Sequence, residues 1–231
     1  MTTRILPSPD LFASCPLDGK IIEFYSGTFE AVYISLNPFL RPTTIDKAEF
    51  KPGTYPNRRE IVANCQSVSW SEVKKLAGLP SLAAVDIGLR TRIRGLKEGF
   101  ENRSYASEID ALYDSQNILT PLEGHFPDLL HDKILQAIQG LGYEWLWVGD
   151  EFCTERKLRW IDDLKNQDDG LTRGRFNVFT PDKRFLWTIH WDSHFSFLCS
   201  SEPNLTALSS SCKLEGFFCT PSTEVYWSVR P

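Results

Sequence analysis

The most regular hydrophobic pattern in the chain is helical and lies in PDLLHDKILQAIQGLG, residues 127–142. Its apolar residues recur every three or four positions, so they line one face of a helix. Pro127 suits the first helical position, and Asp128 suits the positive end of the helix dipole. The same spacing predicts helices in NRREIVANC, SWSEVKKLAG, SYASEIDALY and EFCTERKLRWIDDLKN, and a short one in EPNLTALSS. The middle of the chain is therefore predicted to be mainly helical.

Strand-like patterns lie on both sides of this helical middle. KIIEFY and EAVYISL are rich in β-branched and aromatic residues and flank SGT, which predicts a hairpin over residues 20–36. YEWLWVG is typical of a buried strand. Five later runs joined by short turns predict an antiparallel meander: RFNVFT, RFLWTIHW, HFSFLCS, LEGFFC and EVYWSV. The last two runs are predicted to pair as a hairpin over residues 214–229.

These patterns predict an α+β fold, with a helical middle packed on a mainly antiparallel, aromatic-rich sheet. Its strands would come from both ends of the chain. The 231 residues, 42% of them hydrophobic, are enough to bury one sizeable core. We expect residues 1–231 to form a single domain, with a seam at residues 120–124.

Charge and composition narrow the range of partners. The formal net charge of −5 makes binding to nucleic acid or to an anionic membrane unfavourable. The first twenty residues contain no apolar run of the length that a signal peptide needs, and no later segment is long and apolar enough to span a bilayer. We expect a cytoplasmic protein whose partners are other proteins or small molecules. The six cysteines form no C-x-x-C pair, so we expect reduced thiols.

The stretch TIHWDSHF, residues 188–195, places His190, Asp192 and His194 on alternate positions. In a strand these side chains would share one face, with neighbours about 7 Å apart and the outer histidines about 13 Å apart at Cα. One metal ion could then use a single His-x-Asp pair and a ligand from elsewhere. Candidates for that ligand are His125, His131, Asp150 and Glu151. The alternative, which we favour, is structural: Asp192 accepts hydrogen bonds from backbone amides and orients one histidine.

A second candidate is LRTRIRGLK, residues 89–97, in which Arg90, Arg92 and Arg94 alternate. In an extended segment the three guanidinium groups would share a face and could bind a phosphate or a carboxylate-rich surface. The alternative is that they pair with the chain's own acids. Because 30 acidic residues face 25 basic ones, we favour this alternative.

Signatures of common enzymes are absent. The chain has no G-x-S-x-G, no Walker loop and no G-x-G-x-x-G. Their absence excludes several enzyme classes, leaves enzymatic activity open and indicates no particular cofactor. Seven tryptophans and an aromatic content of 13% suit either a core or an interface.

The segments GYEWLWVGDEFCTERKLRWIDDL, HWDSHFSFLC and LEGFFCTPSTEVYW resemble an uncharacterised bacterial family, a domain of unknown function. The resemblance covers mainly the C-terminal half. It implies a bacterial origin and carries no activity and no catalytic residues. Helices followed by an aromatic meander are also similar in general style to small bacterial immunity proteins that bind a toxin.

Three functional hypotheses follow from the sequence. The leading one is a non-catalytic cytoplasmic protein that binds another protein, as an immunity protein does. The second is a metal-dependent enzyme centred on His190, Asp192 and His194. The third is a phosphate or nucleic-acid binder that uses Arg90, Arg92 and Arg94.

Overall fold

The computed structural model of the chain describes residue 8 and residues 10–152, 154–168 and 170–226. These residues form eight α-helices: α1 (Ile21–Phe24), α2 (Arg58–Asn64), α3 (Trp70–Leu76), α4 (Leu82–Ile93), α5 (Arg103–Ser115), α6 (Asp128–Gly140), α7 (Ile161–Asn166) and α8 (Glu202–Cys212). They also form nine strands: β1 (Ala31–Leu36), β2 (Phe39–Pro42), β3 (Cys65–Val68), β4 (Trp145–Asp150), β5 (Arg156–Trp160), β6 (Phe176–Phe179), β7 (Leu186–Ile189), β8 (Phe195–Ser200) and β9 (Gly216–Phe218).

Seven of the strands form one antiparallel sheet in the order β5-β4-β6-β7-β8-β1-β9. The early strand β1 lies between two strands from the C-terminal part, so both ends of the chain contribute to the sheet. β2 and β3 form a separate antiparallel pair. The predicted α+β fold with an antiparallel sheet is confirmed.

Helices cover both faces of the large sheet. Successive residues of a strand point to opposite faces, so in β8 Phe197 contributes to one core and Leu198 to the other. The first core packs α3 and α4 on the sheet through Trp70 and Leu89. The second core packs α6, α7 and α8 on the other face, where Ile134 is fully buried. β7 and β8 are therefore buried along their whole length.

The predicted helices are mostly confirmed. NRREIVANC, SWSEVKKLAG, SYASEIDALY, PDLLHDKILQAIQGLG and EPNLTALSS form α2, α3, α5, α6 and α8. The start of α2 shows why local sequence sufficed. The Asn57 side chain accepts a hydrogen bond from the Glu60 amide, and the Glu60 carboxylate accepts one from the Asn57 amide. At α6 the boundary differs by one residue, because Pro127 is the N-cap.

The predicted hairpin over residues 20–36 is wrong in its first half. KIIEFY contains the short helix α1, and only β1 is a strand. Ile21 and Tyr25 are both fully buried, whereas Glu23 between them is exposed. A strand would place all three side chains on one face, but a helical turn places only Ile21 and Tyr25 together. The Tyr25 hydroxyl also donates a hydrogen bond to the carbonyl of Ser14, 2.7 Å away. β1 pairs with β8 and β9 instead.

The helix predicted in EFCTERKLRWIDDLKN is also wrong over most of its length, because the segment forms a turn, β5 and the short α7. Asp150 causes the turn. Its carboxylate accepts hydrogen bonds from the amides of Phe152, Thr154 and Glu155 at 2.9–3.1 Å, so it closes a loop rather than caps a helix. Cys153 lies outside the described residues.

The C-terminal hairpin predicted over residues 214–229 is wrong in its described part. β9 pairs with β1, and Glu224 forms an isolated bridge with Lys20. Val225 is fully buried in the first core. The predicted strand residue Trp227 lies outside the described residues.

The seam predicted at residues 120–124 lies between α5, which packs on the first core, and α6, which packs on the second. The chain thus crosses from one face of the sheet to the other in this region. The single-domain prediction stays a prediction. Within the described ranges, no helix has the length and apolar character needed to span a membrane.

Candidate functional site

The candidate trio His190, Asp192 and His194 lies in a turn, not in a strand. β7 ends at Ile189 and β8 begins at Phe195, so residues 190–194 connect the two strands. The prediction that the three side chains share one face assumed a strand, and it is therefore wrong. The Ser193 hydroxyl lies 2.9 and 3.0 Å from the carbonyl oxygens of His190 and Phe195, which tightens the turn.

Both histidine rings of this turn are buried. Burial, followed by the positive charge of Arg90, lowers the pKa of His190 to about 4 and the pKa of His194 to about 3. The rings are therefore neutral at pH 7. His190 Nδ1 accepts a hydrogen bond from the backbone N–H of Asp192, 3.1 Å away. The arrangement holds the turn together and is not that of an exposed acid or base.

The structural role predicted for the Asp192 carboxylate is wrong, because the contact with His190 runs through the Asp192 backbone. Over the described ranges the carboxylate accepts no hydrogen bond. Nor do the described residues contain a group of three or more His, Cys, Asp or Glu side chains placed to hold a metal ion. The metal site at His190, Asp192 and His194 stays a prediction, without a third ligand to support it.

Arg90 cannot take part in external anion binding, because it is fully buried on α4. Its Nε lies 3.1 Å from the carboxylate of Asp86, and its Nη2 donates to the Val225 carbonyl at 3.1 Å. The guanidinium group also lies over the rings of Phe195 and Tyr226, 5.1 and 4.9 Å from their centroids. This arginine joins α4, β8 and the C-terminal segment.

Arg92 and Arg94 remain at the surface. Arg92 contacts Asp110 through Nε at 2.6 Å and donates to Thr120 Oγ1 through Nη1 at 2.8 Å. Arg94 ends α4 with a left-handed φ of 60°. Because α4 is a helix, alternate residues point about 200° apart, so the predicted common face is wrong for these three arginines. The alternative, pairing with the chain's own acids, is confirmed for Arg90 and Arg92.

The sheet has an exposed edge that sequence reasoning missed. β5 pairs only with β4 in the described structure. The Ile161 amide donates a hydrogen bond to the Glu144 carbonyl, and the Asp150 amide donates one to the Glu155 carbonyl. These two bonds show which residues of the pair are hydrogen-bonded to each other. In an antiparallel ladder the bonded pairs alternate, so the N–H and C=O groups of Arg156, Leu158 and Trp160 point away from β4.

Large apolar side chains surround this edge. Trp145 and Trp160 are cross-strand partners whose ring centroids lie 4.7 Å apart. Both are partly exposed, as is Leu158, and Phe152 in the preceding turn is 63% exposed. Cross-strand neighbours share a face, so Trp145, Trp160 and Leu158 form one patch beside the unpaired backbone. Such exposed apolar groups mark interaction sites more often than single surface residues do.

The edge strand is also basic. RKLRW contains three basic residues and no acidic one, in a chain whose net charge is −5. Arg156 forms an ion pair with Asp10 at 3.3 Å. Lys157 and Arg159 have no ion-pair partner among the described residues. We call the surface formed by Trp145, Phe152 and residues 156–160 the β5 edge. Strand-like alternation in RKLRW was the signal that could have revealed it.

The fold and this edge define an α+β protein with a seven-stranded antiparallel sheet and an exposed basic edge strand. The chain belongs to the DUF2711 family, described as a protein of unknown function, whose family model matches residues 18–229. The resemblance seen mainly in the C-terminal half therefore extends over most of the chain. No curated protein and no solved structure matches the chain significantly.

Proposed function

We propose that the protein is a non-catalytic protein-binding protein of the bacterial cytoplasm, similar in role to an immunity protein. In this proposal an acidic, extended segment of a partner protein pairs with β5 as an additional strand. The unpaired backbone of β5 beside the exposed tryptophans is the observation that carries the proposal. Strand addition of this kind obtains affinity from main-chain hydrogen bonds and specificity from alternate side chains.

The exposed edge supports binding because natural sheets usually protect such edges. Short strands, lysine residues, bulges and covering loops are the common means of protection. β5 is short and basic, but it places Leu158 and Trp160 next to three outward-pointing backbone positions. Tryptophan is enriched among residues that dominate binding energies at protein interfaces. The edge therefore offers both hydrogen-bonding groups and apolar area to an incoming strand.

Charge favours an acidic partner over a second copy of this chain. Two β5 strands placed side by side would bring two sets of three basic residues together, which repels. An acidic strand would instead place carboxylates near Lys157 and Arg159. Acidic residues stand at both ends of the edge, at Glu155 and Asp162, so we expect the partner's acids to face the middle of β5.

The two alternative functions have weaker support. A metal-dependent enzyme centred on His190, Asp192 and His194 would need several ligand side chains close together, and the described residues contain no group of three or more such side chains. Nucleic-acid binding is opposed by the net charge of −5 and by the burial of Arg90.

Selection of a random dodecapeptide display library on the purified protein tests the proposal. We expect the enriched peptides to be acidic and rich in β-branched residues. Leu158→Pro should weaken their binding about tenfold or more, because proline removes an outward N–H and leaves the hydrogen bonds to β4 in place. A Lys157→Glu and Arg159→Glu double variant should weaken binding to a similar extent.

The matched control is a Lys75→Glu and Lys133→Glu double variant, which makes the same change of charge on exposed helical positions. It should bind the selected peptides like the parent protein. Thermal melting of each variant checks that the fold is retained. Failure to enrich any acidic peptide, or binding that Leu158→Pro leaves unchanged, would refute the proposal.

A further inference from the structure

A second surface, remote in sequence from β5, combines a partly open cavity, lined mainly by aromatic and aliphatic side chains, with a groove lined by arginines. The cavity has a volume of about 430 Å³ and is lined mainly by Phe50, Tyr55, Tyr113, Ile118 and Leu122. This volume falls in the range of small-molecule sites, which are mostly apolar with a few polar groups. The cavity lies beside α5 and the crossing segment that follows it.

An open groove of about 990 Å³ adjoins this cavity. It runs between the C-terminal end of α4 and the start of α5, and it is lined by Arg92, Arg94 and Arg103, with Glu101 and Asp110. Arg92 and Asp110 line both spaces, so their ion pair forms the boundary between them. The two spaces therefore meet at one arginine.

Two arginines of the groove are available to bind an anion. Arg92 already contacts Asp110 and Thr120. Arg94 and Arg103 are exposed and have no ion-pair partner among the described residues. Arg103 is the first residue of α5, a helix of 13 residues whose N-terminal end adds positive potential beside it. Arginines in the last turn of α4 stabilise that helix, because positive side chains complement the negative end of its dipole. Arg103 lies at the positive end of α5, so the helix dipole does not explain its presence there.

We infer that this surface binds a small phosphate monoester that carries an aromatic ring. The ring would occupy the cavity beside Tyr113, and the phosphate would lie in the groove between Arg94 and Arg103. A phosphate fits better than a carboxylate, because its several oxygens can accept hydrogen bonds from two separate guanidinium groups. Mononucleotides have this chemistry. The inference is independent of partner binding at β5.

Equilibrium titrations of the full chain with AMP, adenosine and inorganic phosphate test the inference. We expect AMP to bind about tenfold or more tightly than either fragment, because only AMP uses both spaces. A double Arg94→Ala and Arg103→Ala variant should weaken AMP binding about tenfold and leave adenosine unchanged. Tyr113→Ala should weaken AMP and adenosine but leave phosphate unchanged.

A Lys75→Ala and Lys133→Ala double variant removes the same number of positive charges elsewhere and should bind AMP normally. Thermal melting checks that each variant is folded. The inference fails if AMP does not saturate the protein at millimolar concentrations. It also fails if phosphate alone binds as tightly as AMP, or if the arginine variant binds AMP as the control variant does.

Discussion

Arg90 and Asp86 lie one helical turn apart on α4 and form an ion pair that no solvent reaches, with Nε 3.1 Å from the carboxylate. A buried pair of this kind adds little net stability relative to apolar residues of similar size, because both charges lose their hydration. Removal of only one partner is different, since it leaves a charge in the core.

Arg90→Met should therefore destabilise the protein by about 3 to 5 kcal/mol. The variant leaves the Asp86 carboxylate buried and removes the hydrogen bond to the Val225 carbonyl. Urea denaturation gives the free energy of unfolding. An Asp86→Leu and Arg90→Met double variant should be markedly more stable than Arg90→Met alone. A double variant as unstable as the sum of the single variants would show that the two residues do not act as a pair.

The pair also shows what sequence can and cannot supply. Alternation of Arg90, Arg92 and Arg94 suggested one basic face, but the helical spacing of Asp86 and Arg90 was equally present in the sequence. Whether Arg90 belongs to a surface face or to a buried ion pair is decided by its burial against Phe195 and Tyr226, which are more than 100 positions away. No local pattern contains that information.

The secondary structure divides in the same way. α6 was predictable because its apolar face and its termini are encoded in neighbouring residues. β5 was not predictable, because RKLRW lies in a segment whose apolar residues also have helical spacing. Pairing with β4 makes this segment a strand, and that contact is not visible in the local sequence. The exposed tryptophan pair was missed for this reason: Trp145 was placed in a predicted strand and Trp160 in a predicted helix.

The buried histidines of the β7–β8 turn predict a loss of stability in mild acid. Their pKa values, about 4 for His190 and about 3 for His194, lie below the value of an unfolded histidine, about 6.5. Between these values the unfolded chain binds more protons than the folded one, so stability falls as the pH falls below about 6.5. Each histidine should contribute about 1.4 kcal/mol per pH unit. Urea denaturation from about pH 7 to about pH 4.5 measures the slope.

Variants separate this effect from general acid sensitivity. His190→Gln should reduce the slope of the unfolding free energy against pH by about the contribution of one histidine. His131 is a further contributor, because burial lowers its pKa as well. His125→Gln alters a partly exposed histidine outside this turn and serves as the control. An unchanged slope in His190→Gln would contradict the interpretation.

The contact between His190 and the Asp192 amide predicts an order of stabilities. His190→Ala should cost about 1 to 3 kcal/mol, because it empties a fully buried site and removes an acceptor. Asp192→Ala keeps the amide and should cost less. A chelator should leave the melting temperature unchanged. Stoichiometric zinc, iron or manganese in untagged protein, lost in Asp192→Ala, would instead establish the metal site.

Gly170 lies so close to the His131 ring that no larger residue fits. A Cβ atom there would stand 2.6 Å from His131 Nε2 and 2.9 Å from the Leu164 carbonyl, and the φ of +54° is itself unfavourable for other residues. The ring cannot move aside, because Nδ1 lies 2.7 Å from the Asp132 carboxylate and Nε2 accepts from the Leu171 amide. Gly170→Ala should therefore cost about 2 to 4 kcal/mol in urea denaturation.

Gly142→Ala is the control for the backbone cost, because Gly142 has a φ of +96° and no atom within 4 Å of the added Cβ. This variant should lose only about 1 to 2 kcal/mol. Equal losses in the two variants would show that contact with His131 adds nothing.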